Sequence, residues 1–285
     1  MYGWLPMNSE RADVKSCCAA AYESDFARIL LGDSFHPGGL QLTERLGALL
    51  KLGPGVRVLD VASGKGTSAI FLAQKYGCQV AGVDFGESNV GSATGAAEAA
   101  GVTGLVTFQQ GDAERLPFAE ATFDAVVCEC AFCTFPDKIA AAGEFARVLR
   151  PGGRVGLSDL TRSGPLPREL DGLLAWVSCI ADARPISEYV GYLEAAGLAI
   201  GVAEPHDEAL IQMVRDIQGR MLGAELMVKL RKLDLPGVDF ENAKATATSA
   251  AAAVKNGLLG YSLLTASLKE KAEPEGPASS PNTQD

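Results

Sequence analysis

Asp60-Val61-Ala62-Ser63-Gly64-Lys65-Gly66 closes a short apolar run, Val56–Val61, and opens a helical one, Thr67–Tyr76. Glycines at a strand-to-helix junction let a ligand approach the backbone closely, and the helix N-terminus beyond them offers unpaired N–H groups. Outward from this junction the chain alternates. Strands are expected at Gln79–Asp84, Val106–Gln109, Ala125–Cys130 and Arg154–Asp159, and helices at Asn89–Ala100 and Lys138–Leu149. Pro151-Gly152-Gly153 is the turn into the fifth strand. Strand and helix in alternation imply right-handed βαβ crossovers and a mostly parallel sheet.

Before the junction, residues 11–31 read as a helix that places Val14, Cys17, Cys18, Ala21, Tyr22, Phe26, Ile29 and Leu30 roughly on one face. Residues 32–39 are a loop, and a second helix runs from Leu40 to Leu50, stopped by Gly53-Pro54-Gly55. After Leu160 helices are expected at Pro167–Ala181 and Ile186–Ala196, then a sixth strand at Leu198–Ala203. Ala209–Leu233 and Phe240–Lys255 read as helices, and Gly257–Leu268 as a last strand returning antiparallel to the same sheet. The segments expected are a helical cap (1–54), a core (55–205), a helical insertion (206–256), the final strand (257–269) and a disordered tail (270–285) rich in Pro, Ser and Glu.

The formal net charge of -10 argues against nucleic-acid and anionic-membrane partners, which need clustered Lys and Arg. No apolar run approaches the roughly 20 residues of a membrane span, and Met1–Glu10 lacks the features of a signal peptide. A cytoplasmic location with reduced thiols is therefore expected for the seven cysteines.

Asp84 ends the second expected strand 20 residues after Gly64, where an acid can accept ribose hydroxyls. Gly64-x-Gly66-x-x-Ala69 also fits a relaxed dinucleotide fingerprint, which leaves an NAD-binding oxidoreductase as a rival. Asp60, inside the motif, suits a cationic sulfonium or amino group better than a pyrophosphate. Further phrases follow in order: Gly111-Asp112-Ala113-Glu114-Arg115-Leu116-Pro117-Phe118, Phe123-Asp124-Ala125-Val126-Val127 and Val148-Leu149-Arg150-Pro151-Gly152-Gly153. Together, over about residues 55–205, they resemble the signature phrases of class I S-adenosylmethionine-dependent methyltransferases. The resemblance implies a Rossmann-like α/β fold of seven strands, the last antiparallel. It implies S-adenosylmethionine as cofactor, with Asp60, Ser63, Gly64 and Gly66 around its methionine end, Asp84 on the ribose, and Asp112 with Ala113 at the adenine. Ala62 departs from the glycine common at that place in the first motif.

Cys130 ends the fourth strand, on the edge where open α/β sheets bind ligands. The stretch Cys130-Ala-Phe-Cys-Thr-Phe-Pro-Asp-Lys138, and Trp176-Val-Ser-Cys179 followed by Tyr189 and Gly197, resemble the arsenite methyltransferase family. That resemblance implies Cys130 and Cys179 as the thiolates holding trivalent arsenic before the sulfonium methyl, and a dithiol or thiol reductant such as thioredoxin or glutathione as partner. A soft acceptor with its own lone pair needs no base, and thiolates are the softest side chains available to hold it. The family has a further thiol just before the core; here that loop reads Gly32-Asp-Ser-Phe-His36, leaving Cys17, Cys18 or Cys133 as the third sulfur. In place of the family's larger C-terminal domain, the helical insertion and the last strand are expected here. Other readings of the cysteines are a redox pair at Cys130 and Cys133, a structural zinc, or plain buried thiols beside an organic acceptor such as a quinone, sterol or polyketide. A binding module for the sulfonium or a nucleotide, without turnover, is the reading from another class.

Overall fold

The computed structural model describes residues 29, 36–167, 170, 179–180, 182–235 and 238–269. Cys17, Cys18, Tyr22, Phe26, Trp176 and the expected tail lie outside the described residues, as do all but single positions of the first expected helix and much of the one after the fifth strand. In chain order the elements are α1 (Gly39–Leu49), β1 (Arg57–Val61), α2 (Thr67–Tyr76), β2 (Gln79–Asp84), α3 (Glu87–Ala99), β3 (Val106–Gln110) and β4 (Phe123–Glu129). A 3-10 turn (Phe132–Thr134) leads to α4 (Lys138–Val148), β5 (Leu149–Arg162), α5 (Ile186–Ala195), β6 (Leu198–Pro205), α6 (Asp207–Lys229), α7 (Phe240–Lys255) and β7 (Leu259–Leu268).

The strands form one seven-stranded sheet in the order β3-β2-β1-β4-β5-β7-β6. β1 pairs parallel with β2 and β4, β2 with β3, and β4 with β5; β7 runs antiparallel to both β5 and β6. This is the expected Rossmann-like sheet with its last strand reversed. Strands covered on both faces need continuous apolar runs rather than alternation, and β1 and β4 supply Val58, Leu59, Val61, Ala125, Val126, Val127 and Cys128, all buried. β6 and β7 are antiparallel neighbours, so no crossover is required between them. The connection is free to hold α6 and α7, which pack on one another and on β7. At the other end of the chain, α1 packs on α2 and β5.

One stretch differs from the sequence expectation. Pro151-Gly-Gly does not separate helix from strand: β5 already begins at Leu149, which pairs with Phe123, and the register then slips so that Arg154 pairs with Ala125. Five steps along β5 are taken against two on β4, and Gly152 (φ 77°) absorbs the excess as a bulge.

The winding reverses between β1 and β4. In open α/β sheets the crevice beyond the C-terminal strand ends at such a reversal is where ligands bind. The Asp60–Gly66 loop, Asp84, Glu129 with Cys130, and Asp159 all stand at that edge, at or near the ends of β1, β2, β4 and β5.

Candidate active site

The loop between β1 and α2 is pinned from below. Ser63 N–H donates to Val83 O (3.0 Å) and Gly66 N–H to Ser63 O (2.9 Å). Asp84 is the main tie: its Oδ2 accepts from Gly64 N–H (2.8 Å), and its Oδ1 from Gly86 N–H (2.9 Å) and Asn89 Nδ2 (3.0 Å). Three protein donors leave a carboxylate about one further acceptor position, so Asp84 as placed can accept from one more donor, and a second needs Gly64 N–H to let go. A Cβ on Gly66 (φ 80°) would sit 2.5 Å from Phe108 Cζ, whereas one on Gly64 (φ 52°) would meet nothing within 4 Å. Gly66 is thus a packing glycine and Gly64 faces an open cradle. Ala62 holds φ 59°, a left-handed conformation strained for any residue with a Cβ.

Two buried polar atoms at this loop lack a partner among the described residues: Asp60 Oδ2 and Ser63 Oγ. Orphaned buried polar atoms are costly and mark a missing ligand or water. Burial pushes the Asp60 carboxyl well above the usual carboxylate range, and nearby Glu129 and Asp84 push it further. A pocket of that polarity calls for a cation. Asp112 follows β3 and turns the chain, its Oδ1 accepting from Glu114 N–H (3.0 Å), with Ala113 half-buried between them.

Glu129 was not among the residues expected at the site. Its carboxylate, at the end of β4, accepts from Thr43 Oγ1 (3.0 and 3.2 Å), Ser68 Oγ (2.7 Å) and Ser158 Oγ (3.4 Å). His36 Nε2 lies 3.6 Å from Oε2. The network joins α1, α2 and β5 over the crevice, and Tyr261 extends it from β7 by donating to Ser158 Oγ (3.0 Å). The signal was present in the sequence as an acid inside an otherwise apolar strand, where a charge survives only if paired or hydrogen-bonded.

Beyond Glu129 three thiols come together. Cys179 Sγ donates to Cys130 O (3.3 Å), and the Cys130, Cys133 and Cys179 thiols lie near enough to influence one another electrostatically. Cys130 and Cys179 both adopt left-handed φ, 53° and 63°. The Cys179 hydrogen bond and burial raise the Cys130 thiol well above its ordinary value; burial first, then Cys179, does so for Cys133. Under this cluster lies Asp159, also unanticipated, accepting from Cys133 N–H (2.9 Å) and Leu160 N–H (2.7 Å). Burial, with Cys179 beside it, pushes its carboxyl up to about 7. Cys78 is fully buried just before β2 and Cys128 is fully buried in β4 beside Glu129, and all five described cysteines are free thiols. Among the described residues no group of three or more His, Cys, Asp or Glu side chains is arranged to hold a metal ion.

Residues 59–157, from β1 into β5, match the methyltransferase domain family. The chain is also 33% identical over 237 residues to 27-O-demethylrifamycin SV methyltransferase of Amycolatopsis mediterranei, covering 79% of this chain and 82% of that one. The chain belongs to the class I S-adenosylmethionine-dependent methyltransferases. Phosphoethanolamine N-methyltransferase 2 of Haemonchus contortus, solved with S-adenosyl-L-methionine, shares the fold at a TM-score of 0.75 and 17% identity, over 90% of this chain and 60% of that one. Arsenite methyltransferase of Halobacterium salinarum is 31% identical over 168 residues, 57% of this chain and 42% of that protein. The cofactor of the methyltransferase is S-adenosylmethionine, and the orphaned acid Asp60, the cradle at Gly64 and the tie at Asp84 suit its cationic, ribose-bearing form. Among the described residues no helix is long and apolar enough to cross a membrane.

Proposed function

We propose that this methyltransferase methylates trivalent arsenic, as arsenite or methylarsonous acid, held by Cys130 and Cys179. The observation that carries the reading is the contact of Cys179 with Cys130 at the ligand edge of the sheet, one residue beyond Glu129, with Cys133 near enough to affect both. S-Adenosylmethionine supplies an electrophilic methyl group on a sulfonium sulfur. Asp60 and Ser63 hold its methionine end, Gly64 and Gly66 shape the loop around it, Asp84 takes a ribose hydroxyl, and Asp112 with Ala113 receives the adenine.

Protonated thiols suit this acceptor. An As–OH group and an S–H condense to As–S and water, so the raised thiol pKa values at Cys130 and Cys133 are no obstacle. Arsenic keeps its lone pair for in-line attack on the methyl carbon, and the protein's task is position rather than proton removal. A thiol reductant such as thioredoxin or glutathione completes the cycle, and a reducing cytoplasm suits five free thiols. Cys17 and Cys18 lie outside the described residues, and a third sulfur stays open among Cys17, Cys18 and Cys133.

A second reading, methylation of a hydroxyl on an organic acceptor of quinone, sterol or polyketide type, draws on two observations. The rifamycin relative is matched over far more of its length than the arsenite relative. And His36 beside Glu129 is a pair able to take a proton from an acceptor hydroxyl. The deciding experiment is anaerobic turnover of arsenite and of methylarsonous acid with S-adenosylmethionine and a thiol reductant, read by chromatography with elemental detection. Methylated arsenic that disappears in Cys179→Ser supports the first reading. No product from either substrate, with cofactor binding intact, moves the assignment to the organic acceptor.

A further inference from the structure

We infer that Lys138 is a positioning residue: its ammonium ties the segment carrying Cys133 to the segment carrying Cys179 and so sets the spacing of the site's thiols. The inference rests on the proposed role of those thiols for its consequence, and on geometry alone for its premise. Pro136-Asp137-Lys138 opens α4 with its tasks divided. Asp137 caps the helix, accepting from Ala140 N–H (3.0 Å), while the Lys138 side chain folds back and inward with only 6% of it exposed. Its Nζ donates to Phe135 O (3.0 Å), directly after the turn that holds Cys133, and to Asp182 Oδ2 (2.5 Å), three residues beyond Cys179.

Downstream the second segment is held by other means. Arg162 N–H donates to Arg184 O (3.2 Å), and Arg184 N–H donates to Tyr189 Oη (3.1 Å), whose hydroxyl in turn donates to Leu160 O (2.9 Å). Arg184 also binds the other oxygen of Asp182. Asp182 is thus where two cations meet, and Lys138 is the one that reaches across from the thiol-bearing turn. A buried ion pair adds little net stability over an apolar pair of the same shape, but it has direction. Direction is needed here because Cys179 and Cys130 both stand in left-handed conformations that relax unless their surroundings hold them.

The test uses the full chain with Lys138→Met, Lys138→Arg and Asp182→Asn, and reads alkylation of each cysteine by N-ethylmaleimide with mass spectrometry. Cys179 is 2% exposed, so its labelling rate reports local opening. Lys138→Met and Asp182→Asn are expected to speed labelling of Cys179 by about tenfold or more, with S-adenosylmethionine affinity within about twofold of the parent, and Lys138→Arg to restore slow labelling. Should Lys138→Met fail to fold, the near-isosteric Asp182→Asn carries the test. Unchanged labelling of Cys179 in the folded variants overturns the inference. In parallel, phenylarsine oxide is titrated against the parent, Lys138→Met, Cys179→Ser and the double variant. Weaker binding in Lys138→Met that vanishes in the Cys179→Ser background shows that Lys138 acts through that thiol; an additive loss overturns it. If phenylarsine oxide consumes no thiols in the parent while the labelling result holds, the arsenic reading falls and the positioning role stands.

Discussion

Replacing Asp159 by Asn gives a direct test of the electrostatics beneath the thiol cluster. The carboxyl is buried, and its pKa rises from 3.8 to about 7 because burial disfavours the charge and Cys179 adds to the effect. The folded chain therefore keeps a proton that the unfolded chain releases between those two values, and stability falls as pH rises through that window. Below it and above it the contribution is flat. At about 1.4 kcal/mol per pH unit, the full window is worth roughly 4 kcal/mol, and the part between about pH 5.5 and 7 roughly 2 kcal/mol. Asn cannot titrate. It also loses one of the two backbone N–H bonds that Asp159 accepts from Cys133 and Leu160, at a cost of about 1–3 kcal/mol that does not vary with pH. The informative quantity is then the difference in unfolding free energy, parent minus Asp159→Asn, from urea denaturation of the cofactor-free proteins at several pH values between about 5.5 and 8.5. Other titrating groups cancel in that difference. A decline of about 2 kcal/mol toward alkaline pH, levelling above about 7, is expected. A difference that is flat, or that grows with pH, refutes the claim that Asp159 is held protonated by its burial.

Three further outcomes follow from the cofactor loop. Gly66→Ala is expected to destabilise the fold by roughly 2–4 kcal/mol, since φ is 80° and the new methyl meets the Phe108 ring, while Gly64→Ala, with open space before it, costs about 1 kcal/mol but weakens S-adenosylmethionine binding by about tenfold or more; melting and calorimetry separate the two. Ala62→Gly relieves the left-handed strain at φ 59° and raises stability by about 0.5–1 kcal/mol, read as an upward shift in Tm. Burial, then Glu129 and Asp84, raise the Asp60 carboxyl well above the usual carboxylate range, and a cation beside it favours the ionised form. The dissociation constant of S-adenosylmethionine should then fall by up to about tenfold per unit of rising pH until Asp60 ionises unaided, and Asp60→Asn should bind weakly with no such slope.

The sheet was legible because its causes are local. Short β-branched runs, helix-period segments and Gly-rich junctions each act within about ten residues, and their alternation admits few topologies. Even the reversed last strand could be read, since an antiparallel neighbour tolerates a long helical detour such as α6 and α7. Where the sequence misled, a longer-range cause won. Pro151-Gly-Gly looks like a stop, but pairing with β4 on either side carries β5 across it as a bulge.

The site divides along the same line. Asp60, Gly64, Gly66 and Asp84 could be singled out because a motif keeps them within one βαβ unit. Glu129, Asp159 and Lys138 were missed because each draws its meaning from partners far along the chain: Thr43 for Glu129, Cys133 for Asp159, Asp182 for Lys138. All three are charged residues at positions where the pattern expects apolar ones or says nothing. A charge is tolerated in a buried strand end only where donors are already waiting for it. The acids that interrupt β4 and β5 therefore imply those donors before any contact is seen, as Asp60 does at the end of β1. Besides Asp84, the crevice of this methyltransferase is bounded by three buried carboxylates with three different environments. Glu129 is met by hydroxyls from three elements, Asp159 by two backbone N–H groups beneath thiols, and Asp60 has an oxygen that no described group meets. Only the last keeps an oxygen without a partner among the described residues, which suits a cationic cofactor at the end of β1.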